Sequence, residues 1–138
     1  MIIYLDENLP KHLAQGFHIL QYPEGKKTGF EIEVKYIPDV FTKGAKDEDW
    51  IPKAGSQKAC IITQDRNIHK RKHELELYRK YKLGFFFLKG KNKKQGLNVW
   101  QMVESLAKNW PAIIEKAQTD TRPFAYEISI KGKLKKLK

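Results

Sequence analysis

The stretch CIITQD, residues 60–65, decides the fold of this chain, because it ends an apolar run with an acid. Cys60, Ile61 and Ile62 predict a short buried strand, and Asp65 follows at its carboxyl end. An Asp at this position either caps the helix that follows or binds a metal ion. The choice between these two roles depends on whether other acids reach the same place.

Strand-like and helix-like segments alternate along the whole chain. The predicted strands are residues 1–5, 31–37, 60–63, 83–88 and 123–134, and the predicted helices are residues 9–21, 47–59, 66–82 and 97–118. Residues 22–30, 38–46 and 89–96 are predicted connections, and Pro111 is expected to bend or break the last helix. This alternation predicts an α/β fold with a mostly parallel sheet of about five strands, covered on both faces. One domain over residues 1–130 and a basic, flexible tail over residues 131–138 are expected.

Acids collect at three strand or helix ends of a chain that has few of them. Asp6 and Glu7 follow the first strand, Asp47, Glu48 and Asp49 open a helix, and Asp65 follows the central strand. Parallel strands end at one edge of the sheet, so these three groups are expected to converge there. Clustered carboxylates repel one another, and a hard divalent cation such as Mg²⁺ or Mn²⁺ would stabilise them. Helix capping by each acid separately is the alternative interpretation.

The net charge indicates an acidic or polyanionic partner. The 138 residues include 27 Lys and Arg against 16 Asp and Glu, for a net charge of +11. Nucleic acid is the leading candidate, since Lys and Arg bind phosphates, and a lysine-rich solvated surface is the alternative. An acidic edge with a basic periphery favours a nuclease over either feature taken separately.

Other classes of protein and site are disfavoured by the composition. One cysteine, Cys60, supports neither a disulfide framework nor a zinc site built on cysteines. No apolar run is long enough to span a membrane, and the N-terminus lacks the pattern of a secretory signal, so a cytoplasmic location is expected. His69 and His73 are spaced to share a helix face, where they could bind zinc or belong to its basic surface.

Two blocks of the sequence resemble the PIN-like nuclease superfamily. IIYLDENLPKHL, residues 2–13, is similar to the first-strand motif of these proteins, and KDEDWIPKAGSQKACIITQDRNI, residues 46–68, is similar to their second block. The resemblance implies a three-layer αβα sandwich and an endoribonuclease that hydrolyses RNA phosphodiester bonds with Mg²⁺ or Mn²⁺. Many small members are toxins of toxin–antitoxin pairs, so a cognate antitoxin is an expected partner. A second copy of the chain is another candidate partner.

The resemblance also implies roles for particular residues. Asp6, Asp47 and Asp65 match the metal-binding acids, and Asp49 competes with Asp47 because the run DEDW allows either register. Glu7 or Asp49 would be an outer ligand or would position water. Three side chains would surround the carboxylates or the substrate: Thr63, Arg66 and Asn67.

The chain departs from its relatives at two acids. Relatives carry an acid on a helix after the first strand, and residues 8–46 offer four acids in other contexts: Glu24, Glu31, Glu33 and Asp39. Glu7 is the candidate substitute for that acid. Asn67 stands where relatives often have Asp, which removes one negative charge from the expected site.

Basic and aromatic residues are the candidate contacts to RNA. Two lysine-rich runs supply the basic set: Lys70, Arg71, Lys72, Lys91, Lys93 and Lys94. Trp50, Trp100 and Trp110 could stack on bases, but their positions in apolar helical patterns favour the core. A non-catalytic nucleic-acid-binding module and a protein-interaction module that keep the fold are the alternatives to the enzyme.

Overall fold

Six strands and five helices follow one another through the chain in an α/β order. The structure, a computed structural model, describes residues 1–42, 44, 46–65, 68–90 and 96–137, and their side chains except those of residues 65, 68–71, 73 and 74. The strands are β1 Ile2–Leu5, β2 Glu33–Tyr36, β3 Cys60–Asp65, β4 Gly84–Lys89, β5 Phe124–Ile128 and β6 Leu134–Lys136. The helices are α1 Lys11–Thr28, α2 Ile37–Phe41, α3 Asp47–Ser56, α4 Ile68–Tyr81 and α5 Val99–Thr119.

All six strands belong to one sheet in the order β2-β1-β3-β4-β5-β6. The first five are parallel, and β6 pairs antiparallel with β5. The chain moves outward from β1 to β2 and then returns to build β3, β4 and β5 on the other side. The strand order therefore reverses between β1 and β3, and in open parallel sheets ligands bind at the carboxyl edge of such a point.

Two apolar cores, one on each face of the sheet, make three layers. On one face, Ile3, Leu5 and Ile62 pack against residues of α1 and α5 such as Phe17 and Leu106. On the other face, alternate strand residues meet α3 and α4, and these residues are Tyr4, Ile61, Phe85 and Phe87 with Trp50, Ile51 and Tyr78. Residues two apart along a strand share one face, so the strands contribute side chains to both cores. The two cores, each covered by helices, confirm the predicted αβα sandwich.

The first helix is longer than the predicted segment 9–21. It continues through Tyr22 and Pro23 to Thr28, so the prediction of a loop over residues 22–30 is wrong. Gly25 is buried against the backbone of Phe30, where a Cβ would lie only 2.7 Å from its carbonyl oxygen. This packing stabilises the second half of α1, and Gly29 ends the helix in a left-handed conformation at φ 78°.

Other differences from the sequence-based predictions follow from local packing. Ile37, predicted as the end of a strand, and residues 38–41, predicted as part of a connection, form the short helix α2. Helix α5 continues through Pro111 without a break. The last helix is fixed at its start by a capping box between Asn98 and Gln101. In the segment predicted as a flexible tail, β6 pairs antiparallel with β5 and forms an edge of the sheet. Within the described residues, no helix is long and apolar enough to cross a membrane.

Candidate active site

The carboxyl ends of β1 and β3 flank the point at which the strand order reverses. Leu5 pairs with Ile62, and the amide of Asp6 extends the ladder by donating to the carbonyl oxygen of Ile62 at 3.0 Å. Asp6 therefore lies directly beside Thr63. Two of the predicted acids, Asp6 and Asp65, thus belong to the ends of neighbouring strands, as their sequence positions predict.

The Asp6 carboxylate is buried and oriented by hydrogen bonds. Its exposed fraction is 6%, Oδ1 accepts from the amide of Glu7 at 2.7 Å, and Oδ2 accepts from Oγ1 of Thr63 at 2.9 Å. A buried carboxylate costs free energy unless such donors compensate for lost water. The turn after β1 supplies one donor and β3 supplies the other, so the rotamer of Asp6 is fixed by two elements.

Asn8 connects the turn after β1 to the end of β3. Its Nδ2 donates to Thr63 Oγ1 at 3.2 Å and to the carbonyl of Gln64 at 3.4 Å, and its Oδ1 accepts from the amide of Gln64 at 3.3 Å. The Thr63 hydroxyl thereby accepts from Asn8 while it donates to Asp6. Sequence reasoning assigned Asn8 no role, although its place in the DENLP motif was the available signal.

Gln64 is the second residue that the sequence analysis missed. Its side chain is 4% exposed, and among the described residues neither Nε2 nor Oε1 has a hydrogen-bond partner. Buried amide groups are normally satisfied, because an unmade hydrogen bond costs about 1–3 kcal/mol. Within the described part of the chain, the buried carboxamide of Gln64 therefore stands out at this strand end, next to the predicted ligand Asp65.

Several acids create a negative field at this edge. Tyr36, at the end of β2, donates its hydroxyl to the carbonyl of Glu7 at 3.1 Å. Burial raises the pKa of Tyr36, and the carboxylates of Glu7, Asp6 and Asp39 raise that pKa further. All three carboxylates therefore act on the Tyr36 hydroxyl, so the acids that follow β1 and the acid of α2 lie around the same point.

Asp39 is the acid of the segment 8–46 that the fold brings to this edge. It lies in the first turn of α2, directly after β2, and forms an ion pair with Lys11 of α1 at 3.3 Å. The sequence analysis gave Asp39 no matching context because it predicted residues 38–46 as a connection. Pro38 at the start of a helical turn was the signal that could have identified α2.

The acids of α3 lie in its first turn. Asp47 is the first residue of α3 rather than its N-cap, which is Lys46, so the capping interpretation of Asp47 is wrong. Asp47 Oδ1 accepts from the indole Nε1 of Trp50 at 3.1 Å, whereas Asp49 is exposed. Because α3 leads into β3 from the far end of that strand, its first turn points to the carboxyl edge.

Only some of the predicted metal ligands have described side chains. Among the described side chains, no three carboxylate, imidazole or thiol groups lie close enough together to hold a metal ion. The side chain of Asp65, the third predicted ligand, lies outside the described set, as do Arg66 and Asn67. The nature of the donors fits a hard cation, since Asp6 and Asp47 offer carboxylate oxygens and Thr63 a hydroxyl.

Of the predicted basic contacts, Lys72 is described and exposed on α4. The other five lie outside the described side chains, as do both histidines of the proposed zinc pair: Lys70, Arg71, Lys91, Lys93, Lys94, His69 and His73. Cys60 is buried as predicted, and burial raises the pKa of its thiol to about 11. Such a thiol is protonated at neutral pH and has no nucleophilic role here.

The three tryptophans differ in their environments. Trp50 is buried, and Trp110 packs on Phe17 with ring centroids 4.6 Å apart and donates to Gln21 at 2.8 Å. The core interpretation is confirmed for Trp50 and holds in part for Trp110. It is wrong for Trp100, whose exposed fraction is 77%.

Comparison with known proteins identifies one relationship. A family model described as a PIN-like domain matches residues 1–90, which include β1, β3, β4 and every predicted metal ligand. No curated protein and no solved structure matches the chain. The matched region ends with β4, so α5 and the two last strands lie beyond it.

Proposed function

The chain belongs to the PIN-like domain family, whose members are generally nucleases, and we propose that it is a metal-dependent endoribonuclease. In this proposal it hydrolyses RNA phosphodiester bonds in the cytoplasm as the toxin of a toxin–antitoxin pair. The observation that carries the proposal is the buried, doubly oriented carboxylate of Asp6 at the point where the strand order reverses. Ligands of open parallel sheets bind at this point, so an acid held there is placed to reach one.

A divalent cation, Mg²⁺ or Mn²⁺, would be held by Asp6, Asp47 and Asp65. Bound there, it would neutralise phosphate charge and increase the nucleophilicity of water at neutral pH. Glu7 and Asp39 add negative charge around Tyr36, and this charge attracts a cation from solution. Asp47 is favoured over Asp49 as the ligand, because the indole of Trp50 orients its carboxylate.

The remaining residues of the site position the ligands. Thr63 holds Oδ2 of Asp6, and Asn8 holds Thr63, so the geometry of the carboxylate depends on a chain of two hydrogen bonds. Residues of this kind commonly change metal affinity or activity about 10- to 100-fold when they are removed. Arg66 and Asn67 are proposed to contact the scissile phosphate and the carboxylates, as the resemblance implies.

RNA is the proposed substrate because an acidic edge in a chain of net charge +11 needs a polyanion to complement its periphery. An antitoxin would then mask the acidic edge or the basic surface. Co-expression of the chain with a protein encoded beside its gene tests this part. We expect the neighbouring protein to relieve the growth arrest that the chain causes. Growth arrest by a variant that cannot cleave RNA would contradict the toxin role.

RNA cleavage with and without a chelator tests the enzyme. Wild-type protein is expected to cut single-stranded RNA in millimolar Mn²⁺ or Mg²⁺ and to stop when EDTA is added. Asp6→Asn and Asp65→Asn should both abolish cleavage, since each removes a negative ligand. Circular dichroism should show that the variants are folded.

Asp120→Asn is the matched control, because Asp120 lies at the opposite end of the sheet. It should cut as fast as the wild type. Cleavage by folded Asp6→Asn at the wild-type rate would contradict the proposed site. RNA binding without cleavage in any metal would instead favour a non-catalytic nucleic-acid-binding module.

A further inference from the structure

The first turn of α5 exposes a large aromatic side chain that the fold does not use. Trp100 is 77% exposed, although the same helix buries Met102, Leu106 and Ile113 on its opposite side. The capping box between Asn98 and Gln101 fixes the turn that carries Trp100. The indole is therefore presented to solvent on a rigid element, where an exposed aromatic ring can stack on an unpaired base.

Trp100 lies at the same edge of the sheet as Asp6. Strand β4 is parallel to β3 and ends at this edge, and α5 begins after β4. Leu97 and Met102, on either side of Trp100 in sequence, pack in the same core as Leu88 and Leu9, which lie near the ends of β4 and β1. Asn109 Nδ2, farther along α5, contacts the carbonyl of Ser129 just after β5, at 3.3 Å.

The contact between Asn109 and Ser129 shows how far the start of α5 lies past the end of β5. Nine residues of helix separate Trp100 from Asn109, which corresponds to roughly 13 Å along the axis of α5. The end of β5 meets α5 at Asn109, so the first turn of the helix stands at or beyond the carboxyl edge. Three strand spacings separate β1 from β5, or about 14 Å, a span that a few nucleotides of single strand can cover.

Lysines line this edge near α5. Lys131 and Lys133 are exposed on the turn between β5 and β6, and Gly132 of that turn packs on the side chain of Lys108. Among the described residues, no carboxylate forms an ion pair with Lys131 or Lys133. Lys89, at the end of β4, is also exposed, with Glu127 at 3.7 Å. Glu104, one helical turn after Trp100, is paired with Lys108 at 3.0 Å, so among the described residues Lys131 and Lys133 leave this side of the edge positive and favour a polyanion.

We propose that Trp100 is a stacking platform for a base of single-stranded RNA that crosses the carboxyl edge towards Asp6. The inference deepens the proposed nuclease function and rests on it for the direction of the strand. Aromatic stacking suits a single strand because its bases are unpaired and expose their faces, whereas a duplex hides them. The lysines at the edge would contact the phosphates on either side of the stacked base.

Binding in the presence of EDTA tests the inference without cleavage. A fluorescein-labelled single-stranded RNA of about ten nucleotides, a length within the range that single-strand sites cover, is titrated with protein and followed by anisotropy. Trp100→Ala should weaken binding about 5- to 150-fold. Trp100→Phe should retain most of the affinity, because a phenyl ring also stacks. RNA should quench part of the tryptophan emission of the wild type but not of Trp100→Phe.

Leu20→Ala is the matched control, since Leu20 is also a large exposed apolar side chain, 71% exposed, but it is not aromatic and lies on α1 rather than α5. It should bind like the wild type, and a fully paired RNA duplex should bind equally to the wild type and Trp100→Ala. Equal single-strand binding by the wild type and Trp100→Ala overturns the inference. An equal loss of RNA affinity in Leu20→Ala also overturns it. So does a Trp100→Ala variant that changes only the oligomeric state, as measured by sedimentation.

These outcomes separate the stacking role from the nuclease. Binding that depends on Trp100 in a protein that never cleaves would contradict only the proposed catalytic function. Cleavage that is lost in Asp6→Asn, together with RNA binding that is unchanged in Trp100→Ala, would contradict only the stacking role of Trp100.

Discussion

Asp120 and Asp6 lie at opposite ends of the central sheet, and their side chains have different charged neighbours. At the end where the strands begin, Asp120 accepts a hydrogen bond from Tyr126, and Lys136 lies 3.8 Å away. At the end where the strands finish, Asp6 is held by Thr63 and by the amide of Glu7, and Glu7 and Asp39 bring further negative charge. Asp120 lies beside a cation, whereas Glu7 and Asp39 act together with Asp6 on the Tyr36 hydroxyl, and Asp39 is itself paired with Lys11.

The pKa directions describe the same contrast. The hydrogen bond from Tyr126, with Lys136 nearby, lowers the pKa of Asp120, and burial together with that bond raises the pKa of Tyr126 to about 12. At the other end, burial and three carboxylates raise the pKa of Tyr36. Balanced charges stabilise the fold, whereas a concentration of like charge opposes it. The carboxyl end, where acids concentrate, is therefore the proposed site, whereas the contacts of Asp120 with Tyr126 and Lys136 join β5 and β6.

The largest difference between the ends is expected from removing each acid. Asp6→Asn should lower the rate of RNA cleavage by about 1000-fold or more, beyond the 10- to 100-fold typical of residues that only position a ligand. Asp120→Asn should leave the rate unchanged, because Asp120 touches no substrate. Single-turnover cleavage at saturating Mn²⁺ measures both rates. An equal loss of cleavage rate in the two variants would contradict the functional difference between the two ends of the sheet.

The next largest effect is expected from the hydroxyl that orients each acid. Thr63→Val keeps the shape of the side chain but removes the donor to Asp6, so cleavage should fall about 10- to 100-fold. Tyr126→Phe removes the donor to Asp120 and should cut at the wild-type rate. Cleavage assays at several Mn²⁺ concentrations measure the effect. A loss in Thr63→Val that excess metal restores would indicate weakened metal affinity rather than misplaced substrate.

Metal binding should stabilise only the carboxyl end. A cation at ten times its dissociation constant contributes about 1.4 kcal/mol, which raises the melting temperature of a chain of this size by roughly 5 °C. The increase should disappear in Asp6→Asn and persist in Asp120→Asn. Differential scanning calorimetry in Mg²⁺ or Mn²⁺ measures it. An unchanged melting temperature in millimolar metal would argue against the cation site.

The smallest effect is expected at the amino end and depends on pH. Tyr126→Phe should lower the free energy of unfolding by about 1 kcal/mol at neutral pH. Asp120 has a folded pKa below its ordinary value of 3.8, so its stabilisation is complete above that value and declines as the pH falls through the lowered one. The difference between the wild type and Tyr126→Phe should therefore shrink in strong acid. Urea unfolding from pH 7 to pH 2 measures it, and a constant difference would contradict the role of Asp120.

Much of the fold could be predicted from apolar periodicity alone. The alternation of strands and helices predicted the parallel sheet, its two covered faces and the strand ends at which Asp6 and Asp65 lie. These features are local, since each depends on a short run of residues and a fixed geometric period. The family resemblance added the nuclease class, and the match over residues 1–90 supports it.

Features that depend on contacts distant in sequence were missed. Helix α1 continues past Pro23 because Gly25 packs on the backbone of Phe30, and Trp100 is exposed because the core of α5 formed on its opposite side. Periodicity could not identify which apolar residue of a helix would be left out of the core. Asp39 likewise joined the acidic edge only because α2 follows β2 at that edge.

The sequence by itself determined which elements form and where the acids stand along them, because those properties follow from side-chain type and spacing. Only the tertiary structure decided that Asp6 is held by Thr63 and Thr63 by Asn8, that Gln64 is buried with no partner among the described residues, and that Trp100 faces solvent. The physical reason is that burial and hydrogen bonding depend on which strands become neighbours. That choice is made by packing over the whole domain, between residues more than fifty positions apart.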